Sequence, residues 1–392
     1  MKRMMKSGIS FLIAVILVVC SSAVCSFADE PVSLTAASAV LMDAKTMQVL
    51  YEKKPHESCY PASVTKIMTL LLVMEAIDSG KISLEDTVVC SPDAAAKGGS
   101  QIWLREGESM SVDELLRAAC IASANDACCA LAELVAGSEQ AFVKLMNEKV
   151  QSLGMKETHF DNCSGLDDDT ETHLTSAYDV AVMSAQLLRH EKIKEYSTRW
   201  MDSLRDGATQ LVNTNRLVRF YEGATGLKTG TTSKAGCCIS ASAERNGMHL
   251  IAVIMGAKTS NERFEDAKKL LNYGFAGFQC ITPGVGQDEI PDVRVIKGKQ
   301  RYVKAVLDSV APVTIKKENA DKLTYKINMA EDLYAPVEKG QKLGEAVFYS
   351  GKKEICRADI KALCAVEKKS IAYIVCRIIK SYCAYDFTSK TY

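Results

Sequence analysis

The chain has 392 residues, of which 47% are hydrophobic and 24% charged, a composition typical of globular proteins and not of disordered ones. Its 48 basic and 48 acidic residues balance, so no basic excess is present to neutralise phosphates, and we expect no nucleic-acid partner. The length exceeds what one hydrophobic core usually serves, which predicts two folded domains.

The first 28 residues predict a secretory signal peptide. Basic residues between Lys2 and Lys6 precede an apolar stretch at 9–20, and Ser26-Phe-Ala28 places small side chains at positions −3 and −1 of a cleavage site. The apolar run is short for a membrane-spanning helix, although an uncleaved anchor is the alternative. We therefore expect an exported protein at the outer face of the cytoplasmic membrane or in the cell wall.

Cysteine is unusually frequent for an exported protein, with thirteen of the fifteen cysteines lying beyond residue 28. An odd number without regular spacing does not predict a disulfide framework, and the lack of any C-x-x-C pattern gives a zinc site no support. The pairs Cys128-Cys129 and Cys237-Cys238 lie among small apolar residues, which is typical of core packing. We expect neither a metal nor a cofactor.

Hydrophobic periodicity predicts an α/β layered domain over residues 29–282, with strands at both ends around a helical middle. The predicted elements, in chain order, are strands 38–43 and 47–52, helices 64–79, 112–136, 139–153 and 177–188, strands 236–243 and 249–257, and helix 261–278. We expect Thr175 to cap the fourth of these helices and Arg245-Asn-Gly247 to form the turn of the second hairpin.

The pattern changes near Thr282-Pro-Gly284. Short runs rich in Val, Ile and Tyr then alternate with turn sequences, which predicts a small all-β domain over residues 283–364. Residues 365–392 hold five basic and two acidic side chains, and apolar residues recur on one helical face from Ile371 to Ile379. A basic amphipathic helix of this kind binds an anionic membrane surface, so we predict a membrane anchor. The alternative is a helix that docks on the β-domain of the same chain.

Ser63-Val-Thr-Lys66, at the start of the first predicted helix, offers a nucleophile and a base. The Ser63 hydroxyl is expected near unpaired backbone N–H groups, which favour a developing negative charge. Lys66 lies three residues later, on the same helical face, and can reach the Ser63 oxygen. Burial and neighbouring positive charge would lower the pKa of Lys66 and supply the neutral amine that a base requires. On its own, S-x-x-K more often marks a capping serine and a solvated lysine.

Two further segments place polar residues where a ligand can bind. Ser123-Ala-Asn125 interrupts an apolar helical stretch, so its side chains must find partners or line a cavity. Lys228-Thr-Gly230 stands just before the second predicted hairpin. Its glycine permits close approach to the backbone, and its lysine and hydroxyl can receive a carboxylate. Alone, the first segment fits a helix cap equally well, and the second is a common tripeptide.

In this order the three motifs resemble those of penicillin-binding proteins and class A β-lactamases. The chain is most similar to the low-molecular-weight penicillin-binding proteins of the D-alanyl-D-alanine carboxypeptidase family. The resemblance covers most of residues 35–278 and departs from the family at Ala124, where many relatives have glycine. The segments that carry it are 39–46, 61–68, 123–127, 175–181, 226–232 and 271–274. It implies a penicillin-binding/β-lactamase-like transpeptidase fold, an antiparallel sheet flanked by helices, followed by a small all-β domain.

The resemblance also implies a reaction and a set of residues. Ser63 would attack the penultimate D-alanine of a peptidoglycan stem peptide, Lys66 would take its proton, and Ser123 would complete the proton relay. The implied substrate-binding residues are Asn125, Lys228, Thr229, Thr231 and Arg263. The backbone N–H groups of Ser63 and Thr231 would form the oxyanion hole, and Thr229 and Arg263 would bind the free carboxylate. A surface arginine is the alternative for Arg263. β-Lactam antibiotics would be covalent inhibitors.

Other functions that share these motifs stay open to different degrees. A class A β-lactamase deacylates with a glutamate in an E-x-x-L-N context, but Leu271-Asn272 lies beyond Lys228 and has Lys268 in place of that glutamate. A cross-linking transpeptidase or a D,D-endopeptidase would use the same acylation, and the sequence excludes neither. A catalytically silent wall-binding protein is disfavoured because the motif set is complete.

The remaining ionisable residues suggest no competing chemistry. The acidic run Asp167-Asp-Asp169 lacks the spacing of a calcium loop, and we predict a solvated loop there. The histidines have no companion signature and are predicted to be structural or exposed. They are His56, His159, His173, His190 and His249.

Overall fold

The computed structural model describes residues 32–167 and 170–388 of the chain. The predicted signal peptide, residues 1–28, lies outside these ranges, as do the last two residues of the acidic run at 167–169. From Thr35 onward the chain forms one unit, and its described residues include a hydrophobic core between residues 40 and 255 and another between residues 290 and 366. The domain boundary at residue 282 falls between these cores and stays a prediction.

The first core is built around an antiparallel sheet. The strands of this region are β1 (Ser38–Asp43), β2 (Val49–Lys53), β3 (Thr87–Val89), β4 (Ser109–Ser111), β5 (Met201–Leu204), β6 (Thr209–Val212), β7 (Ala224–Thr232), β8 (Gly236–Arg245) and β9 (Met248–Ala257). Five of them form one sheet in the order β2-β1-β9-β8-β7, while β3 pairs with β4 and β5 with β6. Val40 is opposite Val253 and Lys228 is opposite Ser240 in the sheet. Both predicted hairpins are confirmed.

Helices cover both faces of this sheet. They are α1 (Lys66–Asp78), α2 (Pro92–Ala95), α3 (Val112–Arg117), α4 (Asn125–Ala136), α5 (Glu139–Ser152), α6 (Ala177–Leu187), α7 (Ile193–Ser197), α8 (Leu217–Phe220) and α9 (Ser260–Gly277). Helix α6 lies on one face, where the Ser184 and Ser240 hydroxyls are 2.8 Å apart. On α9, a Cβ at Gly274 would lie 2.5 Å from a Leu250 methyl group, so only glycine permits this close packing. Coverage on both sides explains why β8 and β9 are continuously buried.

Helix α1 runs through the interior, and ten of its thirteen residues are buried. A helix that is apolar nearly all round its surface belongs inside a core, and the Leu, Met and Ile content of α1 suits that position. A 3₁₀ turn, Ala62–Thr65, precedes α1 and carries Ser63. The predicted helix at 64–79 is thereby confirmed, with its first residues in a tighter turn.

Two local predictions were wrong. The single helix expected at 112–136 is broken: α3 passes into a wide π-type turn, Ala118–Ala122, and Ser123 takes a left-handed φ of 63° before α4 begins. The polar residues of the second motif account for the break, because serine and asparagine favour caps over helix interiors. Helix α6 is capped by Ser176 and not by Thr175, whose hydroxyl instead lies 2.9 Å from that of Thr158.

The second core belongs to short strands, as predicted. They are β10 (Phe278–Ile281), β11 (Val293–Ile296), β12 (Tyr302–Val303), β13 (Ala305–Leu307), β14 (Val313–Lys316), β15 (Leu323–Met329), β16 (Asp332–Tyr334), β17 (Lys342–Ser350) and β18 (Lys353–Ala362). Sheets of the order β12-β11-β16 and β13-β18-β17-β15 enclose an apolar core, and β10 pairs with β14. Thr314 of β14 donates a hydrogen bond of 2.8 Å to the buried Asp43 of β1. The β-rich region is therefore attached to the central sheet.

The chain ends in helix α10 (Ile371–Thr388). Four isoleucines and a valine of its first nine residues are exposed, at 83% for Ile371 and about half for Ile374, Val375, Ile378 and Ile379. Within the described ranges, no helix has both the length and the hydropathy needed to cross a bilayer.

Candidate active site

Ser63 stands at a tight turn that faces the edge of the sheet. Ala62, immediately before it, has a φ of 49°, a left-handed conformation that residues other than glycine seldom adopt. Strained backbone of this kind occurs where the surrounding structure fixes a functional residue. Gly165 packs on the same turn so closely that a Cβ there would lie 1.8 Å from the Ala62 carbonyl oxygen. The position of Ser63 is thus set from both sides.

Lys66 is the first residue of α1 and points back to Ser63. Its Nζ lies 2.8 Å from Ser63 Oγ and 2.7 Å from the Ser164 carbonyl oxygen, to which it donates. The side chain has no exposed surface. Burial lowers the pKa of Lys66 because the charged ammonium loses its hydration. The predicted nucleophile and base are therefore in hydrogen-bonding contact.

The second motif lies at the helix break described above. Asn125 begins α4, its backbone N–H donates to the Ser100 carbonyl at 2.7 Å, and its side-chain Nδ2 donates to the Gly98 carbonyl at 2.7 Å. Its buried Oδ1 has no hydrogen-bond partner among the residues that the structure describes. Ser123 is buried as well, with 4% of its surface exposed. The helix break therefore places the Ser123 hydroxyl and the Asn125 Oδ1 acceptor two residues apart in the chain, at the start of α4.

Strand β7 brings the third motif against the nucleophile. A Cβ at Gly230 would lie 2.9 Å from the Ser63 nitrogen and 3.0 Å from the Pro61 carbonyl oxygen, so the strand backbone touches the turn. Thr231 follows Gly230 directly, so this contact lies between Ser63 and the residue that carries the second predicted oxyanion-hole donor. Thr229 donates from Oγ1 to the Thr214 hydroxyl at 2.8 Å.

Lys228 is buried beside Lys66, with 1% of its surface exposed. Burial lowers its pKa to about 7, and the charges of Lys66 and Arg263 act in the same direction. Its Nζ donates to the Thr229 carbonyl at 3.0 Å. A lysine in this state is protonated in part near neutral pH and gains charge readily when an anion binds next to it.

Arg263 of α9 belongs to the same site, and the alternative of a surface arginine was wrong. Only 7% of the residue is exposed, and its Nη1 donates to the Gly230 carbonyl at 2.9 Å and to Thr231 Oγ1 at 2.8 Å. Burial lowers its pKa from a very high starting value. Its Nε has no hydrogen-bond partner among the described residues. The guanidinium therefore holds the strand that carries the third motif.

A loop that the sequence analysis did not single out completes the site. Its Ser164 carbonyl binds Lys66, and its Asp167, predicted to lie in a solvated loop, is buried and accepts a 2.5 Å hydrogen bond from Thr232. For Asp167 that prediction was wrong, because this residue packs onto β7. His173 secures the other end of the loop: its Nδ1 accepts from the Asp161 N–H at 2.9 Å and its Nε2 lies 2.8 Å from Thr65 Oγ1. Burial lowers the pKa of His173 to about 4, so the ring is neutral.

The sequence held a signal for one of these missed residues, His173, and none for the other, Ser164. His173 lies two positions before the 175–181 segment that resembles the family, so its neighbourhood marked it. Ser164 contributes a backbone carbonyl, which no side-chain pattern reveals. Most of the cysteines pack in the core, as predicted: all twelve whose side chains are described are free thiols, and seven of these are buried.

Chemically, the site can transfer an acyl group. It offers a hydroxyl in contact with a buried amine, two backbone donors at the strand–turn contact, and two cations near β7. A carbonyl carbon at Ser63 Oγ can be attacked while its oxygen faces those donors. An adjoining carboxylate can reach Lys228 and Thr229.

Comparison with known proteins agrees with this geometry. Residues 25–259 match the family model described as D-alanyl-D-alanine carboxypeptidase, and residues 282–368 match that of the penicillin-binding protein 5 C-terminal domain. The chain is 42% identical over 331 residues to the D-alanyl-D-alanine carboxypeptidase DacF of Bacillus subtilis, an alignment that covers 83% of this chain and 85% of that protein.

Solved structures give the same result. Penicillin binding protein 5 from Haemophilus influenzae matches with a TM-score of 0.77 and 33% identity, over 86% of this chain and 99% of that one. Penicillin-binding protein D2 from Listeria monocytogenes, in its ampicillin-bound form, matches with a TM-score of 0.57 and 31% identity, over 62% of this chain and 99% of that one. The predicted penicillin-binding fold is confirmed, and the chain belongs to the D-alanyl-D-alanine carboxypeptidase family.

Proposed function

We propose that the protein is a serine-type D-Ala-D-Ala carboxypeptidase that removes the terminal D-alanine from peptidoglycan stem pentapeptides. The observation that carries the proposal is the 2.8 Å contact between Ser63 Oγ and the buried Nζ of Lys66. A lysine of ordinary pKa would hold its proton and could not act as a base. Burial shifts the balance toward the neutral amine, which can accept the serine proton.

Acylation follows from the placement of these groups. Lys66 Nζ takes the proton from Ser63 while Oγ attacks the carbonyl carbon of the penultimate D-alanine. The oxyanion points at the N–H groups of Ser63 and Thr231, each donor of this kind contributing about 3 to 4 kcal/mol of transition-state stabilisation. The terminal D-alanine then leaves as its nitrogen receives a proton through Lys66 and Ser123. Water attacks the acyl-enzyme and releases the shortened stem peptide.

Substrate binding is assigned to the groups along β7 and the second motif. Lys228 receives the terminal carboxylate together with the Thr229 hydroxyl, which redirects its O–H from Thr214 to the substrate. The free Oδ1 of Asn125 accepts a hydrogen bond from the substrate or from Lys66. Arg263 acts indirectly, because its guanidinium already donates hydrogen bonds to the Gly230 carbonyl and the Thr231 hydroxyl. We assign it to positioning the strand and to supplying positive potential near the carboxylate.

β-Lactams are expected to acylate the same serine. A β-lactam presents a strained amide next to a carboxylate, which matches the nucleophile and the cation pair of this site. The relative from Listeria monocytogenes is described in an ampicillin-bound form. The free Ser63 hydroxyl should therefore open the β-lactam ring of a fluorescent penicillin and form a covalent acyl-enzyme.

We also assign the protein to the outer face of the cytoplasmic membrane. The signal peptide predicted at 1–28 supports export, and α10 supports attachment, since it exposes Ile371 and the following apolar residues next to basic ones. Deleting residues 371–392 should release the protein from vesicles that contain anionic lipid and leave its activity in solution. This deletion keeps Val366, which is 1% exposed in the second core. Binding that persists after the deletion would refute the anchor.

The decisive experiment treats the purified protein with a pentapeptide that ends in D-Ala-D-Ala and identifies the products by mass. We expect release of one alanine and covalent labelling by fluorescent penicillin. Ser63→Ala should abolish both while its melting temperature stays close to that of the wild type. A labelled Ser63→Ala variant, or an unprocessed pentapeptide, would contradict the proposal.

A further inference from the structure

Basic side chains gather where the β-rich region meets helix α10. The turn between β11 and β12, residues 297–301, and the segment before α10, residues 366–370, together hold five basic residues and one acidic residue. These two segments form the basic junction. Its cations are Lys297, Lys299, Arg301, Lys368 and Lys369. None of them has a role in the acylation described above.

Backbone hydrogen bonds hold the two segments of the basic junction together. The Lys299 N–H donates to the Glu367 carbonyl at 2.8 Å, and the Lys369 N–H donates to the Lys297 carbonyl at 2.8 Å. An antiparallel bridge lies between these two bonds. The start of α10 is therefore tied to the β11–β12 turn, and the cations of both segments are kept next to one another.

Most of this positive charge is not compensated within the protein. Lys299 forms an ion pair with Glu367, and the other four cations have no ion-pair partner in the described part of the chain. On the neighbouring strand β16, Asp332 lies 3.9 Å from Arg294 and not beside the turn. The four unpaired cations are exposed or half-buried. Because like charges gathered in this way repel one another, an external anionic surface would stabilise the arrangement.

Tyrosine side chains surround these cations. Tyr302, the first residue of β12, is 51% exposed, and Tyr334, which pairs with Ile296 at the end of β11, is 68% exposed. The Lys299 Nζ lies 5.6 Å from the centre of the Tyr373 ring. A tyrosine has an apolar ring and a polar hydroxyl, which suits it to the boundary between water and hydrocarbon. Cations and tyrosines in one place are typical of a surface that lies at the level of lipid headgroups.

The basic junction also adjoins the apolar face of α10. Ile371, the first residue of that face, follows Lys369 by two residues, which span at most about 7 Å. The Lys297 carbonyl is bonded to the Lys369 N–H, so it lies within about 10 Å of Ile371. This separation is close to the Debye length of about 8 Å at physiological ionic strength. A bilayer that receives the apolar face would therefore also attract the cations of the turn.

We propose that the basic junction binds the headgroups of anionic phospholipids, so that the β-rich region itself contacts the membrane beside α10. The inference rests on the membrane attachment proposed above and adds to it a surface outside the helix. The apolar face of an amphipathic helix binds any bilayer, whereas neighbouring cations add an attraction that depends on the charge of the lipid. A bilayer suits the junction better than a soluble anion does, because the tyrosines and the apolar face lie next to the same cations.

The test measures binding of the purified protein to two kinds of vesicle, one of phosphatidylcholine alone and one of equal parts phosphatidylcholine and phosphatidylglycerol. The double variant Lys297→Asn/Arg301→Gln removes two cations, and asparagine accepts the φ of 60° at position 297. We expect it to bind the anionic vesicles about 20-fold more weakly, at about fivefold for each charge, and the neutral vesicles as the wild type does. D-alanine release in solution and the melting temperature should not change.

Two further variants control for charge and position. Lys352→Gln/Lys353→Gln removes the same charge from the turn at the other end of β18, a strand of ten residues that spans about 30 Å. It should bind both kinds of vesicle as the wild type does. Lys297→Arg/Arg301→Lys keeps both cations of the turn and should also retain wild-type binding.

Three results would overturn the inference. The first is a Lys297→Asn/Arg301→Gln variant that binds anionic vesicles as tightly as the Lys352→Gln/Lys353→Gln control, which would leave α10 as an anchor without the junction. The second is an equal loss on both kinds of vesicle, which would mean that the two side chains only support α10. The third is tighter binding to inorganic polyphosphate than to anionic vesicles, which would assign the junction to a soluble polyanion. If the wild type binds neither kind of vesicle, the proposed attachment through α10 fails as well.

Discussion

The two regions of this molecule differ in where their polar and charged side chains lie: the first buries many of them, and the β-rich region keeps nearly all of them at the surface. The first region buries two lysines, an arginine, two histidines and several carboxylates, among them Lys66, Lys228, Arg263, His173 and Asp126. Among the described residues beyond 282, Thr314 is the one buried polar side chain. The charges of the β-rich region instead form ion pairs at the surface, such as Arg357 with Glu354.

This difference separates residues that serve chemistry from residues that serve only the fold. Burying a charge is costly, and apolar replacements are often neutral or stabilising. Exposed ion pairs neither cost nor contribute much. The buried lysines therefore persist because their low pKa and fixed geometry are useful, whereas the β-rich region has the polarity pattern of a structural module.

The largest effect should follow from removing the buried amine next to the nucleophile. Lys66→Met keeps the length of the side chain and deletes the base, so kcat for D-alanine release should fall about 10⁴-fold, with the melting temperature maintained or raised. Lys361→Met, in the β-rich region, breaks a surface pair with Asp308 and should leave kcat unchanged. A Lys66→Met variant with more than a tenth of the wild-type rate would remove the basis of the comparison.

A smaller loss should follow from separating β7 from the nucleophile turn. Gly230→Ala would place a methyl group 2.9 Å from the Ser63 nitrogen, 3.0 Å from the Pro61 carbonyl oxygen and 3.0 Å from Ala62 Cβ. Two of these three contacts are with backbone atoms and the third is with a rigid Cβ, so the turn cannot easily move aside. We expect acylation by fluorescent penicillin to slow about 10²-fold, as for a misplacement of roughly 1 Å. A Cβ at Gly284 meets nothing within 4 Å, so Gly284→Ala is the control. Equal rates for the two variants would show that the contact is not needed.

The buried charge should also be visible as a pH dependence of stability. Lys228 has a pKa of about 7 in the folded protein, against an ordinary value of 10.5. Between these values the unfolded chain binds the proton and the folded chain does not, so this group makes the free energy of unfolding rise with pH. The rise is on the order of 1 kcal/mol per pH unit. Denaturant unfolding from about pH 7 to about pH 10 should show a shallower rise for Lys228→Met than for the wild type. Parallel curves would contradict the shifted pKa.

The smallest effect concerns the buried polar contact between the regions. Thr314→Val removes the donor to Asp43, which is fully buried, and leaves that carboxylate oxygen with one partner fewer. We expect a loss of about 1 to 3 kcal/mol in the free energy of unfolding, with kcat unchanged. Thr324→Val, on the exposed face of β15, should cost far less. A Thr314→Val variant as stable as Thr324→Val would mean that this hydrogen bond contributes little to the attachment of the two regions.

Much of the site could be predicted, because its side chains are carried by short motifs. Ser63 and Lys66 are three residues apart, a spacing that a helix converts into contact whatever surrounds it. The break at Ser123 was missed since apolar periodicity continues through it, and the turn depends on the carbonyls of Gly98 and Ser100. Asp167 looked solvated because its buried partner, Thr232, is distant in the chain.

The sequence by itself determined the order of the three motifs, the central hairpins and most of the helices around them. It also determined the change near residue 282 from a mixed helix and strand pattern to one of short strands and turns. These features depend on periodicity and local residue preference, which a linear pattern records. Only the tertiary structure decided that Lys66 and Lys228 are buried together and that Gly230 touches the Ser63 backbone. Those properties depend on distances and solvent exclusion between remote segments, which exist only once the segments have packed.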